Sequence, residues 1–392
     1  MYAFNICSEL SSIIIPPNIF KLEYVTFNNC DKLSLVIFLG ESVSGPSDVF
    51  TNCPQLTEVH VLPTYVSDSF CGRNVIKCIK TDSCGASTKY IFDNRNGTLF
   101  VSGKGGMSDN TNDPAPWSSF KNKITSVIIE GEVMSVGDGC FPECTGLTSV
   151  TFISSVESIG NSTFFGCSNL EKITFKEESN LTIIGESSFY GCSNLESILI
   201  PSSVSEIRNN AFYKCSNLEN ITFEEKSNLT IIGNYSFSNC SNLETIELPH
   251  QLKEISLHSF EGCNKLKSIT ILSDISKIQE YAFSKCSNLE CILYYGTNNP
   301  EIIYDNSFSG CEKLSFIITY LTYSSETFGS FKVRKSSELP LTCHIKSGAK
   351  LKSGEIAAIV ICSFIFIVII CVVLFFTVFR KMKNKTRDED TP

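Results

Sequence analysis

A hydrophobic pattern of four positions recurs along most of the chain. In its clearest copy, Phe164 lies three residues before Cys167, Leu170 lies three residues after it, and Ile173 lies six residues after it. Phe, Cys, Leu and either Ile or Val hold the same positions eleven times. The cysteines of these copies are Cys7, Cys30, Cys53, Cys144, Cys167, Cys192, Cys215, Cys240, Cys263, Cys286 and Cys311. From Cys144 onward they are 23, 25, 23, 25, 23, 23 and 25 residues apart. A period in the twenties with this leucine spacing predicts a solenoid of leucine-rich repeats.

Within each repeat, the pattern predicts one short strand and one tight helical turn. Apolar residues alternate along the strand segment, so Leu10, Ile13 and Ile15 face inward and the residues between them face outward. The Phe-x-x-Cys-Ser-Asn-Leu segment is too short for a stable α-helix, and we expect a single helical or 3₁₀ turn there. Stacking the turns about 4.8 Å apart places Phe over Phe and Leu over Leu. The predicted fold class is therefore a β-rich solenoid with 23–25 residues per turn.

The period also divides the chain into segments. Residues 1–62 hold three repeats, residues 124–320 hold the rest, and residues 63–123 break the period. In this lead-in, two short apolar runs flank Asn96 and Gly97, which predicts a β-hairpin. The first repeat is already in phase at the N-terminus, with no signal-peptide pattern before it, so we expect the array to be truncated at this end. Repeats of 25 residues carry two extra residues after the strand, and such insertions map to one loop face.

The C-terminal part of the chain predicts a membrane anchor. Residues 321–355 lose the pattern and are expected to form a cap and a stalk. Residues 356–379 are 24 residues without a charge, which is enough to span a bilayer as a transmembrane helix. Five Lys and Arg residues in the tail that follows, residues 380–392, favour a cytoplasmic location for it. We therefore expect a single-pass protein of the plasma membrane whose repeats are extracellular.

Composition and spacing argue against catalysis, cofactors and nucleic acid. The formal net charge is −9, which gives no basic surface for nucleic acid. The chain has no Cys-x-x-Cys motif, and its four histidines lack metal-ligand spacing. No catalytic triad or carboxylate pair stands apart from the repeats. We therefore expect no enzymatic activity, no cofactor and no metal.

The 19 cysteines reflect the repeat first. Repeat cysteines point inward in parallel, and we expect them to be buried free thiols that behave as small apolar side chains. Five cysteines outside the repeat position are better candidates for disulfide bonds, namely Cys71, Cys78, Cys84, Cys140 and Cys291.

Binding is expected on the outward positions of the main strands, because the motif itself is core. These positions are rich in Ser and Thr, which suits an ordinary solvated face and equally an extended hydrogen-bonding surface for a protein or a glycan. The predicted binding residues are Lys172, Thr174, Ser197, Leu199, Asn220, Thr222, Thr245, Glu247, Ser268 and Thr270. Four asparagines in Asn-x-Ser/Thr sequences are predicted glycosylation acceptors, namely Asn96, Asn180, Asn220 and Asn228.

Toward the end of the array the outward positions become apolar. They hold Leu293, Tyr295, Phe316, Ile318 and Tyr320. We expect the residues that follow to cover this patch, in preference to an exposed ligand surface.

The repeat motif, preceded in one copy by Ser-Ile-Gly-Asn-Ser-Thr at residues 158–163, resembles the BspA-like leucine-rich repeats. Proteins with such repeats occur on the surfaces of some oral bacteria and of parasitic protists such as trichomonads. A repeat array with one membrane span and a short basic tail is similar to the protist members. The resemblance implies adhesion at the cell surface, through binding to proteins of host or neighbouring cells, to matrix proteins or to glycans.

Two other functions fit the same sequence. A signalling pattern-recognition receptor would need a partner for its tail, since 13 residues can only recruit another protein. A structural or antigenic coat protein would need no specific ligand. Deletion of the tail and substitution of the outward residues distinguish these functions from adhesion.

Overall fold

The computed structural model describes residues 3–62, 64–77, 79–300 and 302–336. The N-terminal elements are β1 (Ser12–Ile15), β2 (Leu35–Phe38), β3 (Glu58–Val61), β4 (Ser69–Phe70), β5 (Arg73–Lys77), β6 (Ile79–Ser83), β7 (Thr88–Asp93), β8 (Thr98–Gly106) and a 3₁₀ helix (Ser118–Lys123). The array continues with β9 (Ser126–Ile129), β10 (Glu132–Val136), β11 (Ser149–Phe152), β12 (Ser158–Ile159), β13 (Lys172–Phe175), β14 (Ile183–Ile184), β15 (Ser197–Ile200), β16 (Glu206–Ile207), β17 (Asn220–Phe223) and β18 (Ile231–Ile232). It ends with β19 (Thr245–Leu248), β20 (Glu254–Ile255), β21 (Ser268–Ile271), β22 (Lys277–Ile278), β23 (Cys291–Tyr294), β24 (Ile302–Ile303), β25 (Phe316–Tyr320), β26 (Thr327–Phe328) and β27 (Phe331–Ser336).

The three N-terminal repeats form a sheet of their own. β1, β2, β3 and β5 pair in parallel in that order, and β4 pairs with β5 as an antiparallel edge. Because each strand pairs with its equivalent one turn later, Ile13 lies beside Val36. In the core of this sheet, Phe27 and Phe50 stack with their ring centroids 5.3 Å apart.

The lead-in supplies the first strand of the main array. β6, β7 and β8 pair antiparallel, and β8 then pairs in parallel with both β9 and β10. Below them, Trp117 is buried and stacks on Phe141 at 4.8 Å between ring centroids. Its indole N–H donates a hydrogen bond to the Cys140 carbonyl oxygen at 2.9 Å. Trp117 therefore takes the place of a repeat phenylalanine at the start of the main array.

Long main strands and short return strands form two sets of parallel ladders. From β8, one path runs through β9, β11 and β13, and the other runs through β10, β12, β14, β16 and β18. A second main sheet begins at β15 and continues through β17, β19, β21, β23, β25 and β27. A second return sheet joins β20, β22 and β24. The main strands therefore fall into two sheets, with a break between β13 and β15.

The four motif positions form the core, as the period predicted. Phe164, Cys167 and Leu170 are fully buried, and Ile173 is nearly so. From turn to turn the phenylalanine rings stack with centroids 5.2–5.5 Å apart. Burial of one such Phe or Leu side chain contributes roughly 1.5–3 kcal/mol to folding. The predicted solenoid is confirmed.

The repeat cysteine also donates a hydrogen bond between turns, which its apolar position did not indicate. The Cys167 thiol donates to the Phe141 carbonyl oxygen at 3.1 Å, and the Cys215 thiol donates to the Phe189 carbonyl oxygen at 3.2 Å. The equivalent bond recurs at Cys192, Cys240, Cys263, Cys286 and Cys311. A thiol thus fills a small apolar site and satisfies a buried carbonyl of the preceding turn at once.

The segment predicted to form a single helical or 3₁₀ turn has turn hydrogen bonds but no regular helix. The Leu170 N–H does bond to the Cys167 carbonyl oxygen at 3.0 Å, as in a single turn. However, Ser162 and Gly166 have positive φ angles of 50° and 69°, and their N–H groups donate to the next turn of the solenoid at 2.7 Å. The N–H groups of Phe165 and Cys167 also bond three residues back, to Ser162 and Phe164. Because the Gly166 N–H between them is used between turns, these bonds do not run consecutively as in a helix. Among the described residues, 118–123 are the helical ones.

Within the described residues, no helix has the length and apolar character needed to cross a membrane. The predicted span at residues 356–379 lies outside the described residues, as do the predicted tail and the end of the predicted stalk.

A close backbone contact explains a recurring glycine after the return strand. A Cβ atom on Gly185 would lie 2.5 Å from the carbonyl carbon of Gly160 in the preceding turn. We expect Gly185→Ala to lower the free energy of unfolding by about 1–3 kcal/mol, because the two turns would have to move apart. Urea unfolding followed by circular dichroism measures it. Gln279→Ala is the matched control, because Gln279 holds the same position after β22 and already carries a side chain. Equal losses in both variants would contradict the explanation.

Candidate functional site

The outward positions of the main strands face solvent, as the alternation predicted. In β17, Asn220 and Thr222 are exposed on either side of buried Ile221, and in β19 Thr245 and Glu247 are exposed. The remaining predicted binding residues are Lys172, Thr174, Ser197 and Leu199, which are exposed, and Ser268 and Thr270, which are half-buried. Their participation in binding remains a prediction.

Parallel register brings most of these residues together in rows. Ser197 lies opposite Asn220, Asn220 opposite Thr245, and Thr245 opposite Ser268, so one row of polar side chains crosses four turns. A second row is made of two pairs, with Leu199 opposite Thr222 and Glu247 opposite Thr270.

Lys172 and Thr174 belong to the first main sheet and stand apart from these rows. They lie opposite Ser149 and Thr151 of β11, and β13 has no ladder to β15. The expected extended face is therefore interrupted. Pro201 follows β15 at the interruption, and because proline has no N–H it cannot bond to the preceding turn.

Charges beside the rows are of both signs. Lys267 donates a hydrogen bond to the Glu244 carboxylate at 2.9 Å, next to the row of polar residues. This ammonium group lowers the pKa of the Glu244 carboxyl group through the hydrogen bond and its charge. The face therefore offers hydroxyl, amide and charged groups together, which is suited to a polar ligand.

Apolar outward residues at the end of the array are covered. Leu293 is 3% exposed and Ile318 is 1% exposed. β27 adds to β25 in parallel, and the Arg334 guanidinium lies 3.5 Å from the centre of the Phe316 ring. Residues that follow the last repeat thus contribute to the cover, and this end offers no open apolar patch at Leu293 or Ile318.

A half-exposed column of aromatic rings escaped the sequence analysis. The column crosses six turns and consists of Phe165, Tyr190, Tyr213, Tyr235, His258 and Tyr281. Neighbouring rings stack, except that Tyr213 and Tyr235 meet edge to face with centroids 6.4 Å apart. The His258 ring lies between Tyr235 and Tyr281, 4.4 and 4.8 Å from them. Its Nδ1 is 2.6 Å from the Glu261 carboxylate. Aromatic residues recur two or five positions before the repeat cysteine, and this spacing is the signal that would have indicated the column.

Three of the five predicted disulfide cysteines are free. Cys71, Cys84 and Cys140 are buried free thiols, so the expectation is wrong for them. The Cys84 thiol donates to the Thr88 hydroxyl at 3.6 Å, and the Cys140 thiol donates to the Ser108 carbonyl oxygen at 3.5 Å, so each is held within its own part of the core. Cys291 is disulfide-bonded, in line with the expectation. Cys78 lies outside the described residues.

The chemistry of the buried thiols does not suit nucleophilic catalysis. Burial raises the pKa of Cys71 and of Cys84 to about 11, which keeps both thiols protonated at neutral pH. Among the residues that the structure describes, no group of three or more His, Cys, Asp or Glu side chains is placed to hold a metal ion.

The predicted glycosylation acceptors are all at the surface. Asn96, Asn180, Asn220 and Asn228 are exposed, and Asn180 and Asn228 lie in the five-residue loops of the longer repeats. Glycan attachment at these positions remains a prediction. Asn220 is also in the row of polar residues, so a glycan there would cover part of the face.

Solved structures with similar folds include bacterial leucine-rich-repeat proteins. A leucine-rich-repeat protein from Bacteroides ovatus is 20% identical in sequence and has a TM-score of 0.43. The match covers 79% of this chain and 69% of the Bacteroides chain. A leucine-rich-repeat protein from Eubacterium ventriosum is 22% identical and has a TM-score of 0.36, and the match covers 62% of this chain and 78% of the Eubacterium chain. A leucine-rich cell surface protein from Faecalibacterium prausnitzii is 18% identical and has a TM-score of 0.31, and the match covers 66% of this chain and 95% of the Faecalibacterium chain. No curated protein matches the chain significantly.

The family model for the BspA type leucine-rich repeat region matches most of the chain. Six copies fit residues 1–98, 117–228 and 205–332. These matches include both stretches of repeats, and they agree with the stacked Phe, Cys, Leu and Ile columns of the core. The chain therefore belongs to the BspA-type leucine-rich-repeat family.

Proposed function

We propose that this protein is a cell-surface adhesin whose solenoid binds proteins or glycans through the outward positions of its main strands. The row formed by Ser197, Asn220, Thr245 and Ser268 is the observation that carries the proposal. It presents polar side chains at strand spacing across four turns. A ligand that is long in the same direction can contact all of them.

Rigidity of the strands favours such binding. Each outward residue alternates with a buried one, as Thr222 does with Ile221, so its backbone is held by the core. A preformed surface loses little conformational entropy when it binds, and many weak polar contacts can then add up to useful affinity. The mixed charges beside the row fit a polar partner such as a glycan or a hydrophilic protein surface.

Membrane attachment is part of the proposal. The 24 uncharged residues at 356–379 and the basic residues after them fit a single span with the repeats outside the cell. The resemblance to repeat proteins of trichomonads supports the same arrangement at a protist plasma membrane. A host cell, a neighbouring cell or the matrix would then be the partner.

Substitution of the polar rows is expected to weaken binding about tenfold or more, because several contacts are lost together. The variant replaces Ser197, Asn220, Thr222, Thr245 and Thr270 with Ala in the full-length protein. Adhesion of cells displaying it is measured on fibronectin, laminin and collagen and on a glycan array.

A matched control replaces Thr182, Ser205, Thr230, Lys253 and Ser276 with Ala. Each of these residues immediately precedes a return strand, in five successive turns and away from the main strands. It is expected to bind as the unchanged protein does. Equal adhesion of all three proteins would refute the proposal and favour a coat protein without a specific ligand.

A further inference from the structure

The second main sheet opens between β17 and β19. The ladder pairs Asn220 with Thr245 only, whereas β17 pairs with β15 at four positions and β19 pairs with β21 at four positions. The return strands of the same two turns, β18 and β20, belong to different sheets. Residues 221–223 therefore have no ladder partner across the opening.

A proline after β19 removes one hydrogen bond at the opening. At closed steps of the sheet, the residue after a main strand donates its N–H to the last strand carbonyl of the preceding turn. Glu224 donates to Ile200 in this way at 3.0 Å. Leu272 donates to Leu248 at 3.3 Å. Pro249 holds the same position and has no N–H, so the Phe223 carbonyl oxygen does not receive this bond.

Unequal loops add to the effect of the proline. Five residues, 224–228, separate Phe223 from Leu229, while three residues, 249–251, separate Leu248 from Leu252. Because the two loops differ in length, the residues of one cannot each lie directly above a residue of the other. The step from β15 to β17 goes from a short loop to a long one and keeps its full ladder. The opening thus combines a long loop with a following short loop that begins with proline.

The opening forms a cleft of about 840 Å³. Buried Ile221 and Ile246 line its inner part, and exposed Glu225 and Glu247 line its outer part. Among the described residues, neither of these two carboxylates forms an ion pair, and Lys226 is the one lysine or arginine that lines the cleft. The cleft therefore combines unpaired strand backbone, an apolar interior and an excess of negative charge.

We propose that this cleft binds an extended polypeptide segment that carries lysine or arginine. The backbone of the segment continues the interrupted ladder along β17 and β19, since unpaired strand N–H and C=O groups accept an added strand. Its basic side chains lie beside Glu225 and Glu247 at the rim. The proposal deepens the adhesive function and rests on it, because it names one class of partner and one site.

The first opening, between β13 and β15, differs from this cleft in two respects. Pro201 interrupts the main ladder there as well, but the return strands β14 and β16 remain paired. Lys176, which begins its long loop, donates to the Ser155 hydroxyl at 3.2 Å and spans toward the preceding turn. At this opening only the main strands separate, while the return strands stay paired. It therefore serves as an internal control for peptide binding at the cleft.

Three fluorescein-labelled decapeptides test the proposal by anisotropy with the full-length protein in detergent. The first alternates lysine and valine, the second has glutamate in place of lysine, and the third is the lysine peptide with alternate backbone nitrogens methylated. The first is expected to bind about tenfold more tightly than either of the others, because only it offers both basic side chains and a complete set of backbone donors.

Variants locate the binding site. Pro249→Leu restores the missing N–H and is expected to weaken binding of the lysine peptide about tenfold, because the gap can then close. Pro201→Leu, the matched change at the other opening, is expected to leave binding unchanged. A double variant, Glu225→Gln with Glu247→Gln, changes only exposed side chains. It is expected to weaken binding of the lysine peptide several-fold without affecting the fold.

Equal binding of the lysine peptide and its methylated form would show attraction by surface charge alone and would overturn the proposal. Absence of binding by all three peptides would overturn it as well. In either case the adhesion assay with the polar-row variant still decides the proposed function separately. If the polar-row variant adheres as well as the unchanged protein while the lysine peptide binds tightly, the cleft still stands as a binding site. The polar rows are then not the adhesive surface.

Discussion

Raising the pH from 8 to 10 is expected to destabilise the repeat array strongly. Burial raises the pKa of the thiols of Cys192, Cys215, Cys240 and Cys263 in the folded protein. In the unfolded chain these thiols ionise near pH 9, whereas in the core they stay protonated to higher pH. The unfolded state therefore loses protons first as the pH rises.

The sign of the effect follows from that order. A folded pKa above the unfolded pKa gives a contribution to stability that is fully present below about pH 9 and is lost as the pH rises through the folded value. Each such thiol loses at most about 1.4 kcal/mol per pH unit, and about 1 kcal/mol between pH 9 and pH 10 because the unfolded thiol is only half ionised at pH 9, so the four together lose about 4 kcal/mol over that interval. That loss is comparable with the whole stability of many domains.

Urea unfolding of the full-length protein under reducing conditions, at pH 8, 9 and 10, measures the loss. A variant with these four cysteines changed to Ala is the control. It is expected to start less stable, because each substitution removes a thiol hydrogen bond such as that from Cys215 to Phe189. Its stability should then fall less between pH 9 and 10, by the share of these four thiols, because buried thiols such as Cys71 and Cys84 remain. Parallel slopes for the two proteins would show that the thiols are not responsible.

Sequence alone was sufficient to predict the solenoid because its core is periodic. Phe, Cys, Leu and Ile return at fixed offsets, and only stacking of equivalent turns buries all of them together. The exposure of Thr222 and Glu247 followed from the same phase, since strand residues alternate between two faces. Burial of the apolar patch at Leu293 and Ile318 also agreed with expectation.

Hydrogen bonding between turns was much harder to predict. The supposed helical turn is instead a string of tight turns, because Gly166 and its equivalents adopt positive φ and direct their N–H groups to the next turn. Ser162 shares this conformation without being glycine, so residue type gave little warning. The failed disulfide predictions have a similar cause, because buried Cys84 and Cys140 find hydrogen-bond acceptors within the core.

The break in the main sheet and the cleft depend on neighbours along the solenoid axis. Pro201 and Pro249 were visible in the sequence, as was the alternation of repeat lengths. Their effect emerges only when the proline of one turn is placed beside the carbonyl of the turn before it. In a solenoid, a residue that is ordinary within its own turn can thus decide whether two turns pair. Functional variation can arise in this way without any change in the core motif.

Phe212→Ala is expected to lower the free energy of unfolding by about 3–5 kcal/mol. Phe212 is fully buried and lies between Phe189 and Phe237, with ring centroids 5.3 and 5.2 Å away and rings nearly parallel. Truncation leaves a cavity on both sides of the turn. Because each turn contacts only its neighbours, the coupling between the two halves of the array weakens at the same point.

Tyr213→Ala is the matched control within the same turn. Tyr213 is half-buried and stacks on Tyr190 at 4.9 Å, but solvent can fill the space that its ring leaves. We expect a loss of about 1 kcal/mol for this variant, which is typical of surface aromatic pairs. Urea unfolding followed in the far and near ultraviolet measures both proteins. Phe212→Ala is further expected to broaden the transition, because the halves on either side of the cavity unfold at different urea concentrations. If the two variants lose equal stability, stacking of the buried rings is not what couples one turn to the next.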